Sequence, residues 1–125
     1  MYTILNAAPD TGNQGVSALC LAAVAGLSTR GLSGIAVADH GRGSRPETWK
    51  IGDSAIDVTR FGLTNSRRLW RADNLRNVRI QARFGGAISP SARVIAKSRA
   101  ILDVSGGDSF TDLYGPRRFQ SMELT

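Results

Sequence analysis

Three short segments of the chain carry the residue types that bind or transform small molecules. The first is Asp10-Thr11-Gly12-Asn13-Gln14-Gly15. Its glycines let a ligand approach the backbone, and it leads into a helical pattern whose first N–H groups can hold an anion. This makes Asn13 and Gly15 candidate substrate-binding residues. No Gly-Lys-Ser/Thr follows, so it is not a P-loop, and the third glycine of a dinucleotide fingerprint is missing. A capped turn accounts for the same residues. The second segment is His40-Gly41-Arg42-Gly43-Ser44-Arg45-Pro46, which contains the single histidine of the chain. An imidazole beside two guanidiniums suits acid–base work or a phosphate. His40, Arg42 and Arg45 are therefore candidates for anion binding, although a polar surface loop would look the same. The third is Ser105-Gly106-Gly107-Asp108-Ser109, with Asp112 shortly after. Consecutive glycines permit positive φ and close approach. Gly106, Gly107, Asp108 and Ser109 are candidate substrate-binding residues, and Asp108 and Asp112 are candidate catalytic residues. A glycine-rich strand exit with Asp108 as a cap is the structural alternative. One histidine and one cysteine, far apart, do not form a metal site, and none is expected.

A basic stretch is the remaining feature with chemical content. It runs from Arg67 to Arg99 through Arg68, Arg71, Arg76, Arg79, Arg83, Arg93 and Lys97, with Asp73 as its one acid. Arg76, Arg79 and Arg83 share a helix face. Such a stripe fits a polyanion or an acidic surface. It fits equally the solvated side of an amphipathic helix, and with few aromatics and no recognisable motif no nucleic-acid partner is expected.

The elements that must position these segments follow from pattern. The apolar run Tyr2–Ala8 predicts a buried strand ending in a turn at Ala8-Pro9-Asp10-Thr11-Gly12. Val16, Leu19, Cys20, Ala23, Val24 and Leu27 recur at helical spacing, predicting a well-buried helix over Asn13–Arg30. Thr11 or Asn13 caps its start, and Gly31 stands at its left-handed end. Gly34–Asp39 predicts a second buried strand. Strand, helix, strand is a βαβ unit and implies parallel pairing. Two short strands are expected around Trp49-Lys50-Ile51 and Ala55–Val58, turning at Gly52-Asp53. Helices are expected from Asn65 or Ser66 to about Ala72, over Leu75–Phe84, and from Ser89-Pro90 to near Ser98, the last with serine at N-cap and proline at N1. Ala100–Val104 predicts a final strand, and Pro116–Leu124 a final helix. The expected architecture is one α/β domain over residues 1–125, a Rossmann-like three-layer sandwich with a mostly parallel sheet. In such sheets ligands sit outside the carboxyl ends of the strands, which is where all three loops leave.

Composition sets the outer limits. A chain of 125 residues with 42% hydrophobic and 21% charged residues has material for one core. Sixteen Lys+Arg against ten Asp+Glu, a net charge of +6, favour a neutral or anionic partner. One cysteine excludes an internal disulfide framework. Val16–Leu27, the longest apolar-rich stretch, falls short of the roughly 20 residues a membrane span needs. The first residues carry no basic signal-peptide region, so a cytoplasmic location is expected.

Two segments taken together resemble the polysaccharide pyruvyl transferase family. Gly12-Asn13-Gln14-Gly15-Val16-Ser17-Ala18-Leu19 is similar to its N-terminal Asn-x-Gly-x-x-Ala-Leu element. Asp103-Val104-Ser105-Gly106-Gly107-Asp108-Ser109-Phe110-Thr111-Asp112-Leu113-Tyr114-Gly115 looks like its strand–Gly-Gly-Asp-x-x-Asp segment. The resemblance implies a protein with two Rossmann-like halves, as in GT-B glycosyltransferases, of which this chain corresponds to the N-terminal half. The implied partners are the missing C-terminal half and a glycan or sugar-lipid acceptor. The implied reaction moves the pyruvyl group of phosphoenolpyruvate onto two sugar hydroxyls, giving a pyruvate ketal. The enol carbon is protonated, an oxocarbenium-like centre is captured, and phosphate leaves. Phosphoenolpyruvate is the donor substrate, and no cofactor is implied. On this reading Asp108 or Asp112 holds acceptor hydroxyls, and Asn13 and the Gly15 amide line the same cleft. Val16 and Ser17 stand where many members carry an acidic pair, and the family's donor-handling Arg and His have no counterpart at His40.

Two other functions compete. One is a non-catalytic α/β module that binds a phosphorylated ligand or other anion through its glycine loops. The other is a basic interaction domain that uses the arginine stripe. A chain ending inside a helix would expose an apolar flank, so a homodimer or aggregation is also expected.

Overall fold

A computed structural model describes residues 1–64, 73–84 and 89–104 of the chain. The strands are β1 (Tyr2–Leu5), β2 (Ile35–Asp39), β3 (Ser44–Ile51), β4 (Ser54–Gly62) and β5 (Ala100–Asp103). The helices are α1 (Gln14–Thr29), α2 (Leu75–Arg83) and α3 (Pro90–Ala96). The protein is α/β, and its described residues form a five-stranded, mostly parallel sheet in the order β3-β4-β2-β1-β5. β1 pairs in parallel with both β2 and β5, and β2 with β4; only the β3–β4 hairpin is antiparallel.

The helix boundaries follow from capping chemistry. Asn13 caps α1, its side chain accepting from the N–H groups of Gly15 and Val16. Thr11 supports that cap by accepting from the Asn13 N–H at 3.3 Å. Gly31 closes the helix with φ +71, a conformation that an L side chain resists. Ser89 caps α3 with Pro90 in its first turn, and Asn74 caps α2.

The core has two halves, one on each face of the sheet. Ile4, Ile35, Val37, Ile56 and Val58 pack with Cys20, Val24 and Leu27 of α1. Leu5, Ala36, Ala38 and Phe61, which alternate with the first set along their strands, pack with Val94 of α3. Ile35–Asp39 is buried at every position, as a central parallel strand must be.

The expected two short strands are instead strands of eight and nine residues. The expected loop His40–Pro46 ends at Gly43, because Ser44, Arg45 and Pro46 already belong to β3. Pro46 lacks an N–H, so it reads as a loop residue, yet β3 lies at the edge of the sheet, where a missing donor is tolerated. The turn at Gly52-Asp53 stands, with Gly52 at φ +59. The predicted helices at 65–72 and Pro116–Leu124, and the loop Ser105–Asp112, lie outside the described residues.

Candidate functional site

The carboxyl ends of β1, β2, β4 and β5 point the same way, and two groups of polar residues gather there. The first is built on the α1 side of the sheet. Asp39, Arg60, Arg45 and Glu47 take the positions that, two residues apart along each strand, continue the apolar rows of Val37, Val58 and Trp49. The hairpin register sets Arg45 directly opposite Arg60. Two like charges so placed repel, and the Asp39 carboxylate offsets this from between them. Its Oδ2 accepts from Arg45 and forms an ion pair with Arg60 at 2.7 Å, while its Oδ1 accepts from the Gly41 N–H at 2.7 Å. The Asp39 side chain is only 2% exposed, so this is a buried ion pair with its remaining lone pairs satisfied.

Arg60 also reaches Asp10, in the loop after β1, at 2.7 Å, and Glu47 at 3.7 Å. Its Nε is buried without a hydrogen-bond partner. Burial works against the charged guanidinium, but the hydrogen bond to Asp10 and the charge of Asp39 more than offset it and raise its pKa. The same hydrogen bond holds the Asp10 carboxyl below its ordinary value. Glu47 in turn accepts from the Trp49 indole N–H at 2.9 Å.

The second group sits where β1 and β5 end side by side. Leu5 is in register with Asp103, and the Val104 N–H donates to the Leu5 carbonyl at 3.1 Å. Asn6 follows Leu5 with φ +59, the one positive-φ residue other than glycine among the described residues. Its Nδ2 donates to both Asp103 carboxylate oxygens at 3.1 Å. Asparagine tolerates this left-handed backbone better than most residues, and the geometry aims its carboxamide across the gap. From β1 the chain passes through α1 to β2 on one side. It returns after β4, past both strands, to β5 on the other side. The strand order therefore reverses between β1 and β5, and that is where open α/β sheets form a crevice.

The residues singled out in the sequence are distributed unevenly over this edge. Asn13 and Gly15 are exposed at the start of α1. The Gly15 and Val16 amides are occupied by the Asn13 Oδ1, at 3.0 and 3.3 Å. Ser17, in place of an acid, donates its hydroxyl to backbone carbonyls of Pro9 at 2.7 Å and Asn13 at 3.0 Å, tying the loop to the helix. Of the three anion-binding candidates, Arg45 is committed to Asp39 and to the Arg42 carbonyl. His40 and Arg42 are exposed. Gly106, Gly107, Asp108, Ser109 and Asp112 lie outside the described residues; the strand that leads to them ends beside Asn6.

Sequence reasoning missed Asp39, Arg60, Asn6 and Asp103 as members of a site. Two signals were present. Asp39 ends an otherwise apolar strand, and Arg60 falls two residues after Val58 on a buried row. No protein-family model matches the chain, and neither a curated protein nor a solved structure shows significant similarity to it.

Proposed function

We propose that the chain is a polysaccharide pyruvyl transferase-like protein and that the crevice between the ends of β1 and β5 receives the hydroxyl pair of a sugar acceptor. The parent activity joins that pair to the pyruvyl carbon of phosphoenolpyruvate and releases phosphate. One observation carries the reading. The two segments that resemble the family lie some ninety residues apart, yet β1 and β5 are paired neighbours, so the Asn13 loop and the segment beginning at Asp103 both depart from one edge of the sheet. On this reading the Asn6 carboxamide and the Asp103 carboxylate form the floor of the acceptor site. The Asn6 carboxamide holds the Asp103 carboxylate in place, and a carboxylate accepts from hydroxyl groups. Asp108 adds the carboxylate that takes a proton from the attacking hydroxyl.

The rival reading, an anion-binding module built on the glycine loops, has less to draw on. The helix-start amides are occupied by Asn13, and Arg45 is held by Asp39.

The test is ligand-observed NMR of the chain with methyl β-galactoside, set against the same glycoside with its 4- and 6-hydroxyls blocked as an acetal. Saturation should pass to the free glycoside only, and Asp108→Asn or Asp103→Asn should reduce it several-fold. Equal transfer to both glycosides, or none to either from the folded chain, would remove the reading.

A further inference from the structure

The outer face of α2 has a composition that the crevice does not explain. With about 100° per residue, Arg79, Arg83 and Arg76 follow one another around the helix, and Ile80 and then the C-cap Phe84 continue the same arc. All five are exposed. Among the exposed large apolar side chains of the described residues, Phe84 at 81% exceeds the rest, Ile80 at 51% lies close to Ile101 at 49%, and Phe61 is by contrast fully buried. The opposite side of α2 buries Val78, so the orientation of the helix is fixed by packing and the exposed arc is its true outer side. Neither α2 nor α3 contains an acid. Asp73, just before α2, is buried.

We propose that this face docks on an anionic lipid surface, with Phe84 and Ile80 entering the headgroup boundary and Arg76 and Arg83 lying over the lipid phosphates. Charge complementarity selects the partner, and the apolar pair narrows it. Arginines alone would suit any polyanion, whereas a neighbouring phenylalanine and isoleucine gain as well from an apolar phase beneath the charges. Arginine stems extend over apolar surface while their guanidiniums stay at the phosphate level, so the two flanks of the arc fit one boundary. Two apolar side chains and a few charges, rather than a whole helix, enter the boundary, so the attachment proposed is peripheral and reversible. The docking face lies on the α3 side of the sheet, away from the Asp39–Arg60 network on the α1 side. The inference stands independently of the acceptor proposed above.

The experiment is co-sedimentation of the 125-residue chain with vesicles of phosphatidylcholine alone and of phosphatidylcholine with phosphatidylglycerol in equal parts. The chain is expected on the mixed vesicles and not on the neutral ones. Each arginine near such a surface contributes about fivefold to partitioning, so Arg76→Gln with Arg83→Gln should weaken binding on the order of 20-fold. Ile80→Ser with Phe84→Ser should also release the chain from mixed vesicles, although it leaves every charge in place. Both double variants change exposed positions, and unaltered circular dichroism and melting temperature establish that they fold. The proposal is overturned if the folded wild-type chain ignores mixed vesicles. It is equally overturned if the Ile80→Ser, Phe84→Ser variant binds them as well as wild type, or if single-stranded oligonucleotide binds that variant and wild type alike and strips both from vesicles. Either of those results would make the face a general polyanion surface.

Discussion

The Asp39 network predicts an asymmetry between its two buried members. Replacing Asp39 with alanine leaves Arg45 and Arg60 facing each other in register with no carboxylate between them, and leaves the Gly41 N–H without its acceptor. Breaking a buried pair from one side costs about 3–5 kcal/mol. The Arg45 side chain is 36% exposed, so water relieves part of the repulsion and the lower end, about 3 kcal/mol, is expected. Replacing Arg60 with methionine is different. Asp39 keeps Arg45 and the Gly41 N–H. The bond given up with Asp10 involves a side chain that is 62% exposed, and an ion pair of that kind contributes about 0–1 kcal/mol. The buried Nε without a partner, a burden of about 1–3 kcal/mol, disappears, while the methionine keeps much of the apolar stem. The 2.7 Å ion pair with the buried Asp39 is also given up, at about 3 kcal/mol, and the relieved burden offsets most of this, so the net loss should be about 1 kcal/mol. Urea unfolding at neutral pH, followed by circular dichroism, reads both values from midpoint and slope. The double variant should fall short of the sum, because Asp39→Ala has already removed the partner that makes Arg60 useful. If Arg60→Met proves as damaging as Asp39→Ala, or if Asp39→Ala costs under about 1 kcal/mol, the network is not the anchor described here.

Three further outcomes are expected. A Cβ at Gly62 would stand 2.3 Å from the Gly41 carbonyl oxygen and 2.9 Å from its carbon; since both belong to backbone, Gly62→Ala should lower stability by about 2–3 kcal/mol. Gly52→Ala meets open space at positive φ and should cost about 1 kcal/mol; thermal melts of the two that came out equal would contradict this. Asn6→Gly keeps the left-handed backbone and should leave the melting temperature almost unchanged, whereas Asn6→Val should cost about 1–3 kcal/mol; an equal loss for both would place the value of Asn6 in its side chain instead. Burial pushes the Cys20 thiol from its ordinary 9.0 up to about 11, so the native protein should resist a disulfide reagent at pH 9 and react once unfolded. The folded state favours the protonated thiol, so the stability this contributes is complete below pH 9 and falls as the pH rises toward 11; native reaction at the unfolded rate would refute the burial of Cys20.

Local chemistry was the legible part of this chain. Asn13, Gly31 and Ser89-Pro90 mark helix ends because capping depends on one residue and its immediate neighbours. Strand, helix, strand over the first 39 residues follows from apolar spacing. The β3–β4 hairpin was underestimated because Arg45, Pro46, Glu47 and Lys50 look like loop residues until the strand is known to lie at an edge, where half its side chains meet water. The Asp39–Arg60 network was legible only as two polar residues on buried rows, not as partners. It depends on a hairpin register that sets residue 45 against residue 60, and on a parallel pairing that brings residue 39 beside them. The Asn6–Asp103 contact likewise spans almost the whole described chain, and only the placement of β5 beside β1 creates it.

That placement also dictates an order of events when the protein is made. β1 can acquire its β2 neighbour as soon as α1 and residues 35–39 have left the ribosome, but its other flank has no partner until residue 100 follows. Until residue 100 emerges the first strand is an open edge with unused N–H and C=O groups, closed by the Tyr2–Ala100 register and by the Arg99 N–H donating to the Met1 carbonyl at 2.8 Å. Closing so long a loop is entropically slow. The β1–β5 seam is thus the last part of the sheet to form, and the nascent chain is most open to mispairing just before it closes.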